Sequence, residues 1–205
     1  MLDWLRRKRE QRTLDRRAIP DALWARTLER YPFLAWRDDV VDLETLRTLT
    51  TLFLARKEFH GVRGLVVTDE MAVAIAAQAC LPVLRLGLDW YDDFVGIVVH
   101  ADAVVARRSV VDDDGVVHEY EEELAGEAMR GGPVMLSWID VDDAAASGDE
   151  PYNVVIHEFT HVLDMRDGEA DGVPPLADRA TRDEWCRVLD AEYDEFCARV
   201  DADDG

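Results

Sequence analysis

Apolar and polar positions alternate with different periods along this chain, and each change of period marks an element. Leu43, Leu46, Leu49 and Phe53 recur at near-helical spacing, which predicts a helix from Asp42 to His60 with Gly61 as its stop. Another helix starts at Pro20-Asp21. Met71 to Leu81 is apolar nearly all round, the pattern of a buried helix, and Asp69 can cap it. Short apolar runs read as strands: Leu65-Val66-Val67, Phe94 to Val99 and Val134 to Val141. Ala103 to Val111 and Val116 to Glu123 flank Asp112-Asp113-Asp114-Gly115, a hairpin signal. The last helix is expected over 178–199, with Glu184, Glu192 and Glu195 on a solvated acidic face. The chain has no internal repeat and no low-complexity linker.

Between the last strand and the last helix, Val154, Val155, Phe159, Val162 and Leu163 give one more segment an apolar side. Asp149 is a candidate N-cap, Pro151 suits a first turn, and Gly168 offers a stop. The pattern predicts one helix from Asp149 or Glu150 to about Arg166. Within it, His157-Glu158-Phe159-Thr160-His161 is an H-E-x-x-H sequence. Residues four apart on a helix lie one turn above each other, so both imidazoles can reach one metal ion. Glu158 then falls beside that ion, close enough to activate a bound water. This is the residue set of a zinc-dependent hydrolase, with His157 and His161 as metal ligands, Glu158 as catalytic base and Zn2+ as cofactor. Asp164 falls on the same face and is a candidate for orienting a ligand imidazole. The alternative is a surface helix carrying two His and a Glu by chance. Against it, two of the chain's five His fall in the pattern.

Charge narrows the partners. A net charge of −21 opposes direct binding to nucleic-acid phosphates and to anionic membranes over most of the surface. No run is long enough to cross a membrane, and the N-terminus lacks an apolar signal core. Three Cys without framework spacing read as small core residues in a reducing compartment, so a cytoplasmic protein is expected. Residues 1–17 depart from the acidity, with seven Lys/Arg against three Asp/Glu. They read as a basic N-terminal tail, and 18–205 as one domain. His60, His100 and His118 are isolated and read as structural or exposed.

Asn153 to Asp164, with Asp167-Gly168-Glu169-Ala170-Asp171-Gly172-Val173-Pro174 after it, resembles the Mlc titration factor A family of bacterial zinc peptidases. Ala79-Cys80-Leu81-Pro82-Val83-Leu84 with Leu86-Gly87-Leu88-Asp89-Trp90-Tyr91, and Gly132-Pro133-Val134-Met135-Leu136-Ser137-Trp138, match two further stretches in the family's order. The resemblance implies a gluzincin-like, aminopeptidase-like enzyme acting on peptides. It also implies a third zinc ligand, a Glu in a Glu-Phe-Phe-like segment that this sequence lacks. The expectation is therefore a truncated member whose third ligand lies beyond Gly205, with weak zinc binding and little activity.

The expected architecture is a zincin-like α+β domain with a mostly antiparallel sheet over the H-E-x-x-H helix. Leu136, Ser137 and Trp138, in the strand before that helix, are candidates for binding substrate by strand addition, or else an ordinary core strand. The rival function that the resemblance implies is regulatory: capture of Mlc, a glucose-responsive transcriptional repressor controlling sugar uptake, without need of hydrolysis.

Overall fold

The structure, a computed structural model, describes residues 2–35, 40–111, 117–144 and 152–203. The chain divides into two compact units, Met1–Val162 and Leu163–Gly205.

In the first unit, α1 (Leu2–Arg17), α2 (Asp21–Arg30) and α3 (Val40–Arg56) come first. Chain turning at Pro20 starts α2, whose Leu23 and Trp24 amides donate to the Pro20 carbonyl. The α3 pattern ends sooner than expected, because Phe59 and His60 are in a strand, β1 (Glu58–Gly61). Gly61 is needed there for another reason: a Cβ would stand 2.0 Å from the Leu65 carbonyl oxygen. Leu65-Val66-Val67 forms no strand. It follows a left-handed turn at Arg63 and Gly64 and leads into α4 (Asp69–Cys80). Thr68, rather than Asp69, caps α4, its hydroxyl accepting from the Met71 amide at 3.3 Å. As the all-round apolar pattern requires, α4 is buried from Val73 to Cys80.

Crossing back through α4 sets the strand direction. A helix between two strands returns the chain to the same end, so β1 pairs parallel with β2 (Gly96–His100), Phe59 opposite Ile97. The next strands are β3 (Val104–Val111) and β4 (Val117–Leu124), then β5 (Gly126–Ala128) and β6 (Val134–Ser137). β6 pairs parallel with β2 and antiparallel with β5, giving the order β1-β2-β6-β5. This mixed sheet corrects the expected mostly antiparallel one: two of its three pairings are parallel. The antiparallel hairpin β3–β4 is a separate two-stranded sheet, as the turn signal predicted, and its tip lies outside the described residues. Trp138 also departs from expectation. The strand stops at Ser137, and Trp138 opens a short helix, α5 (Trp138–Asp143).

The core brings sheet and helices together. Ile97, Val99, Val134 and Leu136 are fully buried. Beside them stands an aromatic cluster of Phe53 (α3), Tyr91, Phe94 and Phe159 (from α6, Val154–Asp164). Phe159 is central, with ring centroids 5.7, 5.2 and 5.9 Å from the other three. Tilted and edge-on rings at these separations each add a little to the apolar burial. Tyr91 donates its hydroxyl hydrogen to the Ala79 carbonyl in α4 at 2.9 Å, which satisfies its one polar atom. Lys57 donates to the Tyr91 and Phe94 carbonyls and lies 3.6 Å over the Phe94 ring. Burial there pushes its ammonium pKa down to about 8.

The second unit begins with the last residues of α6 and ends in α7 (Arg179–Asp203). Asp178 caps α7, accepting from the Thr181 amide at 2.8 Å. Between the two helices, Gly172 takes a left-handed φ of 82°, donates to Asp164 Oδ2 at 2.8 Å and accepts from the Trp185 indole at 3.0 Å. Trp185, Leu189, Tyr193, Phe196 and Val200 follow helical spacing down one side of α7 and are exposed. Cys80 is the core thiol expected. Cys186 and Cys197 are not, because α7 carries polar residues on most of its surface and leaves both half-buried.

Candidate metal centre

The helix that carries the motif starts later than its sequence suggests. Asp149, Glu150 and Pro151 lie outside the described residues, and α6 begins at Val154 and ends at Asp164. Its cap is Asn153, whose side-chain oxygen accepts from the Ile156 amide at 2.9 Å. The same side chain donates its NH2 to the Gln78 oxygen at 2.8 Å, and Gln78 is fully buried in α4. One residue thus ends the loop, starts the helix and ties it to the core.

Phe159 and Val155 fix the rotation of α6, since both are fully buried. Helical geometry then puts His157 and His161 on another face. Their Nε2 atoms stand 3.2 Å apart and their rings meet edge-on, at 88° with centroids 4.6 Å apart. As it stands the pair is a hydrogen bond in which one Nε2–H donates and the other Nε2 accepts. The separation also suits a shared ion. Two nitrogens each ~2.0–2.1 Å from one tetrahedral centre stand roughly 3.3–3.4 Å apart. Partial burial, and then the neighbouring His161, hold the His157 pKa below the ordinary imidazole value. A neutral imidazole is the form that binds metal.

Glu158 lies between them in sequence and is 5 % exposed. Burial raises its carboxyl pKa to about 7; the Ala128 amide, donating to it, opposes that rise, and Glu127 adds to it. The close wall is β5. A Cβ at Gly126 would sit 2.6 Å from Glu158 Cγ and 2.9 Å from Val154 Cγ2, so only glycine lets this strand pass. Tyr152 completes the surroundings, its ring 5.4 Å from that of His157. Burial, followed by Glu158 and Asp140, raises its phenol pKa.

The other expected residues fall elsewhere. Asp164 is buried and occupied on one side by the Gly172 amide, while its Oδ1 has no hydrogen-bond partner among the described residues. Leu136 and Ser137 are fully buried in β6, which has β2 on one side and β5 on the other. No added strand can pair there, so Leu136, Ser137 and Trp138 do not form the open edge that strand addition needs. That edge, on the motif side, is β5. Glu184 is engaged by Arg187 at 2.6 and 2.8 Å, and Glu195 lies 4.0 Å from Arg199. His60 lies in β1 and is exposed, 3.6 Å from Glu58; His100 is in β2; the His118 side chain lies outside the described residues. Among the described residues, no three His, Cys, Asp or Glu side chains converge to hold an ion. The imidazole pair therefore fits zinc as two of the three protein donors usual in catalytic sites.

Comparison with known proteins bears on this donor set. The family described as Glucose-regulated metallo-peptidase M90 matches residues 4–204. An uncharacterized protein of Synechocystis is 33% identical over 201 residues, covering 98% of this chain and 71% of the relative. Mlc titration factor A of Cronobacter sakazakii is 36% identical over 172 residues, 83% of this chain and 63% of its own length. The protein of that name from Klebsiella pneumoniae is 38% identical over 160 residues, 76% of this chain and 58% of its own. The chain thus spans about three fifths of the length of these two Mlc titration factor A relatives.

Proposed function

The chain belongs to the glucose-regulated metallo-peptidase M90 family, that of the Mlc titration factor A proteins, and from this premise we propose that it is a zinc-dependent peptidase of zincin-like fold. The observation that carries the reading is the pair of Nε2 atoms 3.2 Å apart beside a buried carboxyl with a pKa of about 7. His157 and His161 hold the ion. When bound, zinc supplies a Lewis acid that polarises the scissile carbonyl and makes water more acidic. Glu158 takes the proton of the attacking water on a carboxylate oxygen and passes it to the departing amine. Its pKa near neutrality suits both halves of that transfer, and burial keeps bulk water from competing for the proton. Residues of β5 are the main-chain edge at which a peptide can add as a strand, next to Glu158.

A second reading comes from the relatives' name, Mlc titration factor A: binding and titration of Mlc, which the family resemblance makes a transcriptional repressor linked to sugar uptake. Among the described residues no helix is long and apolar enough to cross a membrane. Chelation separates the two readings, because hydrolysis stops without metal whereas titration of a repressor does not require it.

The direct test of the site is zinc titration. Replacing either His157 or His161 by Ala weakens zinc binding at least about 10-fold, a loss typical of removing a ligand or its support. Equal affinity in the native chain and in a variant lacking both imidazoles would reject this centre. Hydrolysis that persists after chelation would reject the peptidase mechanism while leaving the ion site standing.

A further inference from the structure

A cavity of about 670 Å³ lies between α1 and α3, and no residue of the motif helix lines it. That volume is in the range of small-molecule sites, roughly 300–1,000 Å³. Its wall is dominated by arginine: Arg6, Arg9, Arg12, Arg16 and Arg17 from α1 and Arg56 from α3. Three carboxylates also line it, and they are spent at one end. Asp89 lies 2.6 Å from Arg6, Glu10 lies 2.7 Å from Arg56, and Asp92 lies 3.8 Å from Arg56. Arg9, Arg12, Arg16 and Arg17 form no ion pair among the described residues. Arg9, Arg12 and Arg16 share one face of α1 by their spacing.

This concentration of charge is opposite in sign to the rest of the protein. Outside residues 1–17 the chain has 16 Lys/Arg against 41 Asp/Glu. The acidic body has a limited say at the cavity, because charges farther than about 8–10 Å are largely screened at physiological ionic strength. What a ligand meets is a set of guanidinium forks, each able to donate two parallel hydrogen bonds to the oxygens of one phosphate. Four unpaired cations along one wall exceed what a single monoanion can use.

We propose that the α1–α3 cavity binds a ligand carrying clustered phosphate charge, through Arg9, Arg12, Arg16 and Arg17. Such charge occurs on free polyphosphorylated molecules and on lipid headgroups. The surroundings admit both sources: a smaller apolar cavity of about 330 Å³ shares Arg17 and Ala55 with the first, and Trp4 and Leu5 are exposed at the start of α1.

The test uses the full chain and two probes, inorganic tripolyphosphate by calorimetry and phosphatidylcholine vesicles containing phosphatidic acid by cosedimentation. Two variants are compared. One changes Arg9, Arg12 and Arg16 to Ala; the other changes Arg7 and Lys8, which do not line the cavity, to Ala. Alanine keeps helix propensity, and circular dichroism checks that α1 persists. The expected result is saturable binding of at least one probe, weakened about 10-fold or more by the triple change and less than about 2-fold by the double one. Binding of tripolyphosphate identifies a free ligand; binding of vesicles alone, with the same variant pattern, identifies a headgroup. Absence of saturable binding to either probe overturns the proposal. So does an equal loss in both variants, which would mean diffuse attraction to a basic helix.

Discussion

On one side of α6, Val155 and Phe159 are wholly buried, and Phe159 touches rings contributed by α3 and by the segment before β2. On the other, His157 is exposed, and among the described residues the two imidazoles meet each other and a neighbouring Tyr152. Glu158 belongs to neither side: it is buried, yet against the β5 backbone rather than in the apolar core. Rigidity and reactivity are thus separated by nearly half a helical turn, about 160° around the axis, with Glu158 between them. The aromatic side fixes the helix so that the imidazole side can be open without being loose.

The largest expected effect comes from the residue between the two sides. Glu158→Gln leaves both imidazoles in place, so zinc stays bound while peptide hydrolysis falls about 10²–10⁴-fold, the usual span for a general base. Retained hydrolysis would take Glu158 out of the mechanism.

Phe159→Ala attacks the anchoring side. Removing a buried aromatic from a packed cluster costs about 3–5 kcal/mol, measured as lower stability in urea unfolding. Thr160→Ala, one residue on and exposed, should cost under about 1 kcal/mol, since it removes only the bond from its hydroxyl to the Ile156 carbonyl. Similar losses in the two variants would mean that the sides are not different in kind.

The pH dependence sharpens the middle position of Glu158. Its carboxyl is raised from 4.5 to about 7 in the folded chain by burial. Below the lower value it is neutral in both states and folding is not penalised. As pH rises toward 7 the unfolded chain ionises more readily, so stability falls, by on the order of 3 kcal/mol in all. With zinc chelated, Glu158→Gln should therefore melt higher than the native chain at pH 8 and show little of this gain at pH 4. A gain independent of pH would point to packing instead.

Much of this was legible because it is local. The H-E-x-x-H spacing and the apolar residues beside it place both imidazoles on one face without any tertiary information. The all-round apolar run of α4 likewise implied its burial. What sequence hid depends on distant partners. Phe59 and His60 continue a helical pattern by eye, yet pair with Ile97 and Val98 nearly forty residues later. β6 read as an edge because its neighbour β5 is three residues long and begins at a glycine. That glycine matters for the space it leaves to Glu158, which no spacing reveals. Asp149 and Pro151 are strong start signals in themselves, whereas Asn153, which caps the helix, owes its role partly to a distant partner, Gln78.

A smaller effect than the loss of Phe159 concerns that cap. Asn153→Ala should cost about 1 kcal/mol of stability, typical for a lost N-cap, and somewhat more if the Gln78 side chain is left unsatisfied. A loss in zinc affinity larger than the loss in stability would show that the cap also sets the spacing of the imidazoles.

The exposed apolar line along α7 has a consequence for the protein as a colloid. Trp185, Leu189, Tyr193, Phe196 and Val200 offer an adhesive strip, and the net charge of −21 opposes the approach of two such strips. That repulsion fades as the solution approaches the isoelectric point near 4.4, and also as salt shortens its reach. Solubility should therefore have a narrow minimum on the acidic side and decline with added salt at neutral pH, with clusters growing from α7 rather than from the motif helix.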